Sequence, residues 1–323
     1  MLLVRIATKL PRAQLNPTFP VFSSPHRNFS STVFKMSAPL FSSYLINPTT
    51  LNTTLTRAPP TLRILCASWF LPNSPHTGPS VFAASHIPTA RFFDLDAVKD
   101  NSSPYPHMLP SASDFAVAMG KLGIKKDDTV VVYDSKELGL FSAPRVAWML
   151  RAFGHERVHI LDNFRVWCNE GLPTESGEVT ELGEKERVEY GTPNTIAPRN
   201  VVSFEEMAEG AKKSFEGVTV LDARPKGRWT GQDPEPRPGL SSGHMPGSMS
   251  LAFTEVLDPE KKTLLPKERL REIFAEKGIS QGTPLISSCG TGVTAAVVDL
   301  ALKEAGYAEE NRKIYDGSWS EVS

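Results

Sequence analysis

The sequence predicts an α/β protein built from two tandem copies of one unit, each a mainly parallel sheet flanked by helices on both faces. Two observations predict it. Short β-branched runs alternate with helical patterns along the chain, which is the signature of βα units. The second half then repeats the order of the first.

The repeat can be followed element by element. "LRILCASWFLP" (62–72) pairs with "VTVLDARPKGRW" (218–229), each an apolar run ending in a polar loop. "SHIPTARFF" (85–93) pairs with "GHMPGSMSL" (243–251). Cys66 to His86 is 20 residues, and Asp222 to His244 is 22. "DTVVVYD" (128–134) pairs with "GTPLISSC" (282–289), so Asp134 aligns with Cys289. Helical patterns follow over Ala143 to Gly154 and over Ala295 to Gly306. "RVHILD" (157–162) and "RKIYD" (312–316) close the two copies as strands. The strands are apolar throughout, as expected of a sheet covered on both faces. The first domain is therefore expected over residues 38–168 and the second over 201–323. Between them "NEGLPTESGEVTELGEKERVEYGTPNTIAPRN" (169–200) is charged and aperiodic and reads as a linker. Ser203 with Glu206 forms a capping-box pattern opening a helix over 203–215.

Composition narrows the function. The chain has 323 residues, 40% hydrophobic and 22% charged, with net charge −1. That is an ordinary globular balance. No basic stripe points to nucleic acid, and no apolar run is long enough for a membrane span. The first acidic residue is Asp94, whereas Arg5, Lys9, Arg12, Arg27 and Lys35 all precede Met36. Residues 1–37, rich in Ser and Arg, read as a mitochondrial transit peptide. Met36 offers a second start that would give a cytoplasmic form.

The chemistry is expected in "PLISSCGTGVTAAVVDLAL" (284–302). A strand over Leu285–Ser288 runs into Cys289, then Gly290-Thr291-Gly292-Val293, and a helix beginning near Thr294. Amides at a helix start lack intrahelical partners and form an anion site with the helix dipole. Glycines let successive amides turn inward. A cysteine there is expected to favour its thiolate. Cys66 and Cys168 lack such surroundings and read as structural. Three widely spaced cysteines imply neither a disulfide framework nor a zinc site. No metal or cofactor is expected. A Cys-dependent phosphatase needs Arg at the sixth position after its cysteine, and Ala295 stands there.

The segments "CGTGVTA" (289–295), "LDARPKGRWTG" (221–231), "PEPRPGLSSGHMPGS" (234–248), "YDGSWSE" (315–321), "SPYPHMLPS" (103–111) and "FSAPRVAWMLRAFGH" (141–155) resemble the signatures of tandem rhodanese-type sulfurtransferases. The neutral loop after Cys289 is similar to that of the 3-mercaptopyruvate branch. The resemblance implies a catalytic Cys289 on the second domain and none on the first. Cys289 would take sulfur from 3-mercaptopyruvate, or less readily from thiosulfate. It would release pyruvate and pass the sulfur to thioredoxin, a small thiol or cyanide. It also implies substrate arginines at Arg228 and Arg237 and a relay of Asp96, His107 and Thr291, with Thr in place of the usual Ser. The amides around Gly290, Gly292, Val293 and Thr294 would bind substrate. Arg224, His86 and His244 are expected to be structural, and Asn163 to take a left-handed turn conformation. An alternative is a persulfide relay serving a partner protein in tRNA or cofactor thiolation. A non-catalytic binding module is disfavoured by the intact cysteine loop.

Overall fold

The computed structural model describes residues 39–193 and 200–323. The presequence expected over residues 1–37, and Met36 with it, lies outside them.

The first copy runs β1 (Leu45–Ile46), α1 (Pro48–Leu55), β2 (Leu62–Cys66), α2 (Gly78–Ala84), β3 (Arg91–Phe92), α3 (Ala112–Lys121), β4 (Thr129–Tyr133), α4 (Ala143–Ala152), β5 (Val158–Leu161) and α5 (Phe164–Asn169). The second runs β6 (Val201–Val202), α6 (Phe204–Lys212), β7 (Thr219–Asp222), α7 (Lys226–Thr230), β8 (Met249–Ser250), α8 (Lys267–Glu276), β9 (Leu285–Ser288), α9 (Val293–Ala305), β10 (Arg312–Tyr315) and α10 (Ser318–Val322). The sheets are ordered β1-β5-β4-β2-β3 and β6-β10-β9-β7-β8, the same topology twice. Every strand pair is parallel. The fold class read from the sequence is the one observed.

Each central strand is buried on both faces, β4 along its whole length. That accounts for its unbroken TVVVY run, because helices cover both sides. Helix α6 starts as expected: Ser203 accepts from the Glu206 amide at 3.2 Å and Glu206 accepts from the Ser203 amide at 2.9 Å.

Helices α4 and α9 place the site. Each is buried nearly all round, which a helix tolerates only inside a core. They pack on each other, and one apolar cluster runs through them from Phe115 and Val130 in the first copy to Leu270 and Ile314 in the second. Each large aliphatic side chain buried there contributes about 1.5–3 kcal/mol. Both helices begin at the carboxyl ends of central strands, so the first turns of α4 and α9 come together between the copies.

One expectation is corrected, at Asn163, and the segment expected over 169–200 as a linker packs on the first copy through its described residues. Glu175 and His86 exchange backbone bonds of 2.8 Å, the Val188 amide reaches Gly120 O at 3.1 Å, and Tyr190 is buried against Phe115. One buried tyrosine and main-chain bonds hold the strap, and neither leaves a periodic pattern. Asn163 has φ +138° and ψ +143°, outside the left-handed helical region. Its carboxamide explains this: Oδ1 accepts from the Arg165 amide at 2.7 Å while Nδ2 donates to Lys261 O at 2.7 Å across the copies.

Candidate active site

Strand β9 delivers Cys289 to the start of α9, which opens at Val293, one residue before the expected position. The carbonyls of the loop are tied back onto α10. Trp319 N–H donates to Cys289 O at 2.9 Å and Ser320 N–H to Gly290 O at 3.0 Å. Cys289 N–H itself donates to Ser318 Oγ at 3.1 Å. With the carbonyls committed there, the amides face the other way. Among the described residues those of Gly290, Thr291, Gly292, Val293 and Thr294 find no acceptor. A fan of free amides at a helix start stabilises a negative charge. Gly292 makes the turn with φ +76°, where L side chains are strained. A Cβ there would also stand 2.6 Å from Arg145 Nη1. Cys289 is buried at the floor of this loop.

Above it stands a chain of hydrogen bonds that crosses between the copies. His107 Nδ1 lies 3.0 Å from Thr291 Oγ1, and His107 Nε2 lies 3.1 Å from Asp96 Oδ1. The bond from His107, foremost, holds the Asp96 carboxyl below its ordinary range. An ionised carboxylate only accepts, so Nε2 carries the proton and Nδ1 accepts from the Thr291 hydroxyl. Burial, opposed by Asp96, pushes the imidazole pKa below its usual value. The neutral ring can therefore take a proton from Thr291 and return it. His107 has φ +64°, the left-handed region that non-glycine residues rarely enter.

The two candidate arginines are placed differently. Arg237 lies with its guanidinium 5.6 Å from the Trp69 ring centre, within electrostatic reach of Asp96 and Cys289. Among the described residues it has no hydrogen-bond or ion-pair partner. Arg228 has Nη2 next to Gly290, 3.2 Å from where a Cβ there would stand. Its Nε donates to Glu235 Oε2 at 3.0 Å and its Nη2 donates to the same oxygen. One edge of the Arg228 fork is thus already taken. Arg224 is buried, makes a fork to Asp222 at 3.0 and 2.6 Å and reaches Glu235 Oε1 at 2.7 Å.

Sequence reasoning missed four residues. Trp69 Nε1 donates to Asp96 Oδ2 at 2.8 Å, and its ring meets His107 edge-on at 4.6 Å. Glu235, its side chain buried, joins Arg224 to Arg228. Arg145 and Asp316 pair beneath the loop. Trp69, Glu235, Arg145 and Asp316 all lie inside quoted motifs; an aromatic or a charge just past a strand end was the available signal for Trp69 and Asp316, whereas Arg145 on α4 and Glu235 in the loop after α7 carried none. His86 and His244 bond to the carbonyls of Phe82 and Trp229 and stand apart from the site.

The first copy retains the cradle and fills it with its own side chain. Asp134 Oδ2 accepts from the amides of Phe141, Ser142 and Ala143 at 2.8, 3.0 and 2.8 Å. Ser142 Oγ donates to Asp134 Oδ1 at 2.5 Å. Burial pushes this carboxyl up to about 6. The bonds it receives show what such a loop holds: a compact anion. Cys66, by contrast, is buried with its thiol pushed up to about 11. Cys168 is half-buried and also raised by burial. Among the described residues no group of His, Cys, Asp and Glu is arranged to hold a metal, and no helix is long and apolar enough to cross a membrane.

Comparison with known proteins agrees with the two-copy fold. The rhodanese-like domain family matches residues 76–169 and 204–323. The 3-mercaptopyruvate sulfurtransferase of Mus musculus is 42% identical over 262 residues, covering 80% of this chain and 84% of that one. SseA from Escherichia coli, a 3-mercaptopyruvate sulfotransferase of rhodanese fold, superposes with a TM-score of 0.74 at 35% identity, covering 86% of this chain and 99% of that one. A sulfur transferase subunit of yeast mitochondrial complex I superposes with a TM-score of 0.76 at 36% identity, covering 86% and 95%.

Proposed function

The chain belongs to the rhodanese-like family, and from that premise we propose how it moves sulfur. It is a sulfurtransferase, and 3-mercaptopyruvate is the donor the site favours. The Cys289 thiolate attacks the sulfur of the donor. The sulfur–carbon bond breaks, its electron pair leaves on carbon as the enolate of pyruvate, and Cys289 becomes a persulfide. Protonation of the enolate gives pyruvate. A thiol acceptor, thioredoxin or a small thiol, then takes the outer sulfur and regenerates Cys289. This is covalent catalysis in two half-reactions.

The observation that carries the reading is the fan of unpartnered amides around Cys289. It suits a thiolate or a persulfide anion equally. Asp96, His107 and Thr291 would move the proton between donor thiol and enolate. Arg237, which has no partner among the described residues, would take the donor carboxylate, and Nη1 of Arg228 would assist on the oxo group. The loop carries no charged side chain, which favours a monoanionic donor over dianionic thiosulfate.

A second reading follows from the resemblance to the yeast complex I subunit. The same persulfide can serve a partner protein, and a mitochondrial location fits both readings. The deciding experiment loads Cys289 with each donor in a single turnover. Stoichiometric pyruvate with a 32-Da gain on Cys289 supports the donor assignment. Persulfide formation from thiosulfate with a higher kcat/KM than from 3-mercaptopyruvate defeats it.

A further inference from the structure

Arg145 stands on α4 of the first copy, wholly buried, and the mechanism above does not use it. Its Nη2 donates to His107 O at 2.5 Å and also to Asp316 Oδ1. Asp316 follows β10 of the second copy, and its other oxygen, Oδ2, accepts from the Leu109 amide at 2.8 Å. One buried ion pair between the copies therefore grips the chain at the carbonyl of His107 and the amide of Leu109. Between these grips and the imidazole lies the backbone of His107, held at φ +64°. Such a conformation is strained for a non-glycine residue and persists only where the surroundings over-determine it.

The pair is costly as a mere fastener. Among the described residues Arg145 Nε and Nη1 have no acceptor, and Nη1 lies beside Gly292 of the cysteine loop. Buried charged donors without partners lower stability. Apolar replacements of a buried pair are often neutral or stabilising. Cohesion between the copies is already supplied by the apolar packing of α4 on α9. What apolar side chains cannot supply is a donor to His107 O and an acceptor for the Leu109 amide at fixed positions.

We infer that Arg145, with Asp316, is a positioning residue: the pair holds the His107 backbone in its left-handed conformation and so keeps the imidazole on Thr291. The inference rests on the proposed role of His107 in the first half-reaction.

The test compares full-length variants in single-turnover pyruvate release from 3-mercaptopyruvate, with thermal melts alongside. Arg145→Met with Asp316→Asn removes the charge pair and keeps an acceptor for Leu109. Pyruvate release at saturating donor should fall about 10- to 100-fold, as misplacement of a catalytic group by about an ångström does. Half-saturation should change little. Added to His107→Ala, the same pair of substitutions should cost nothing further, because the pair acts only through His107. Full activity of the Arg145→Met, Asp316→Asn protein, or an equal further loss in the His107→Ala background, overturns the inference. Should that protein fail to fold, Arg145→Lys decides by the same comparison, since the lysine side chain keeps the charge but ends one atom short of where Nη2 meets His107 O and Asp316. Wild-type release by His107→Ala alone would instead remove the relay on which the inference stands.

Discussion

His107 and Thr291, 184 positions apart in the chain, share a 3.0 Å hydrogen bond that joins the two copies at the cysteine loop. The copy with Asp134 at the matching position thus contributes the imidazole, and the copy that carries Cys289 contributes the hydroxyl. Neither copy alone holds the whole constellation. On the proposed function, a first copy whose own cradle is filled by Asp134 still takes part in the reaction.

The relay makes a prediction at Thr291. Thr291→Ser keeps the hydroxyl and should leave pyruvate release within a few-fold of wild type. Thr291→Val keeps the shape and removes the proton, and should slow release by roughly 10²-fold, the lower range for a lost acid–base group. Stopped-flow pyruvate detection separates the two. Equal rates for Ser and Val would show that the hydroxyl takes no part.

The three cysteines should divide cleanly. Cys289→Ser should abolish persulfide formation, read as the 32-Da gain by intact-protein mass spectrometry. Cys66→Ser and Cys168→Ser should retain it, since neither sits at a helix start. Turnover by the Cys289→Ser protein would overturn the assignment of the nucleophile.

The arginines should separate by what each already holds. Arg237 has no partner among the described residues, so Arg237→Ala should lower kcat/KM by roughly 2–4 kcal/mol and leave the melting temperature unchanged. Arg228→Ala also strips one partner from the buried Glu235, so it should lower both activity and melting temperature. Lys at 237 should rescue only in part, because a point charge does not replace a planar fork. Transfer from preformed persulfide to thioredoxin should persist in both variants. Equal slowing of both half-reactions would assign the arginines to holding the loop.

His155 should impose a pH dependence on stability. It is wholly buried, donates from Nε2 to Asp128 O at 2.8 Å, and has Nδ1 2.9 Å from the Tyr190 hydroxyl. Burial lowers its pKa from 6.5 to about 4. The unfolded chain therefore binds the proton first as pH falls. The stabilisation is fully present above pH 6.5 and is lost as pH falls from there towards 4. The loss amounts to roughly 3 kcal/mol by linkage. His155→Gln should flatten this part of the melting profile between those limits. An unchanged slope would mean that the ring titrates freely in the folded protein.

The two-copy α/β fold was legible along the chain, because strand and helix periods are local and the repeat doubles the signal. So were the strand, cysteine, glycine turn and helix of the nucleophile loop, since that unit is contiguous from Leu285 to Ala305. Only the tertiary structure decided which side chains meet across the copies. The bonds from His107 to Thr291, from Arg145 to Asp316 and from Asn163 to Lys261 all join residues about a hundred or more positions apart. No spacing rule reports such pairs, because they are set by how the two copies pack and not by any period in the chain. The same holds for competition between partners. The guanidinium of Arg228 reads in the sequence as a free fork, but folding brings buried Glu235 against one of its edges. The Asp134 carboxylate reads as a missing nucleophile, and folding makes it the occupant of its own cradle, because the amides of Phe141, Ser142 and Ala143 need an acceptor wherever a helix begins inside a core.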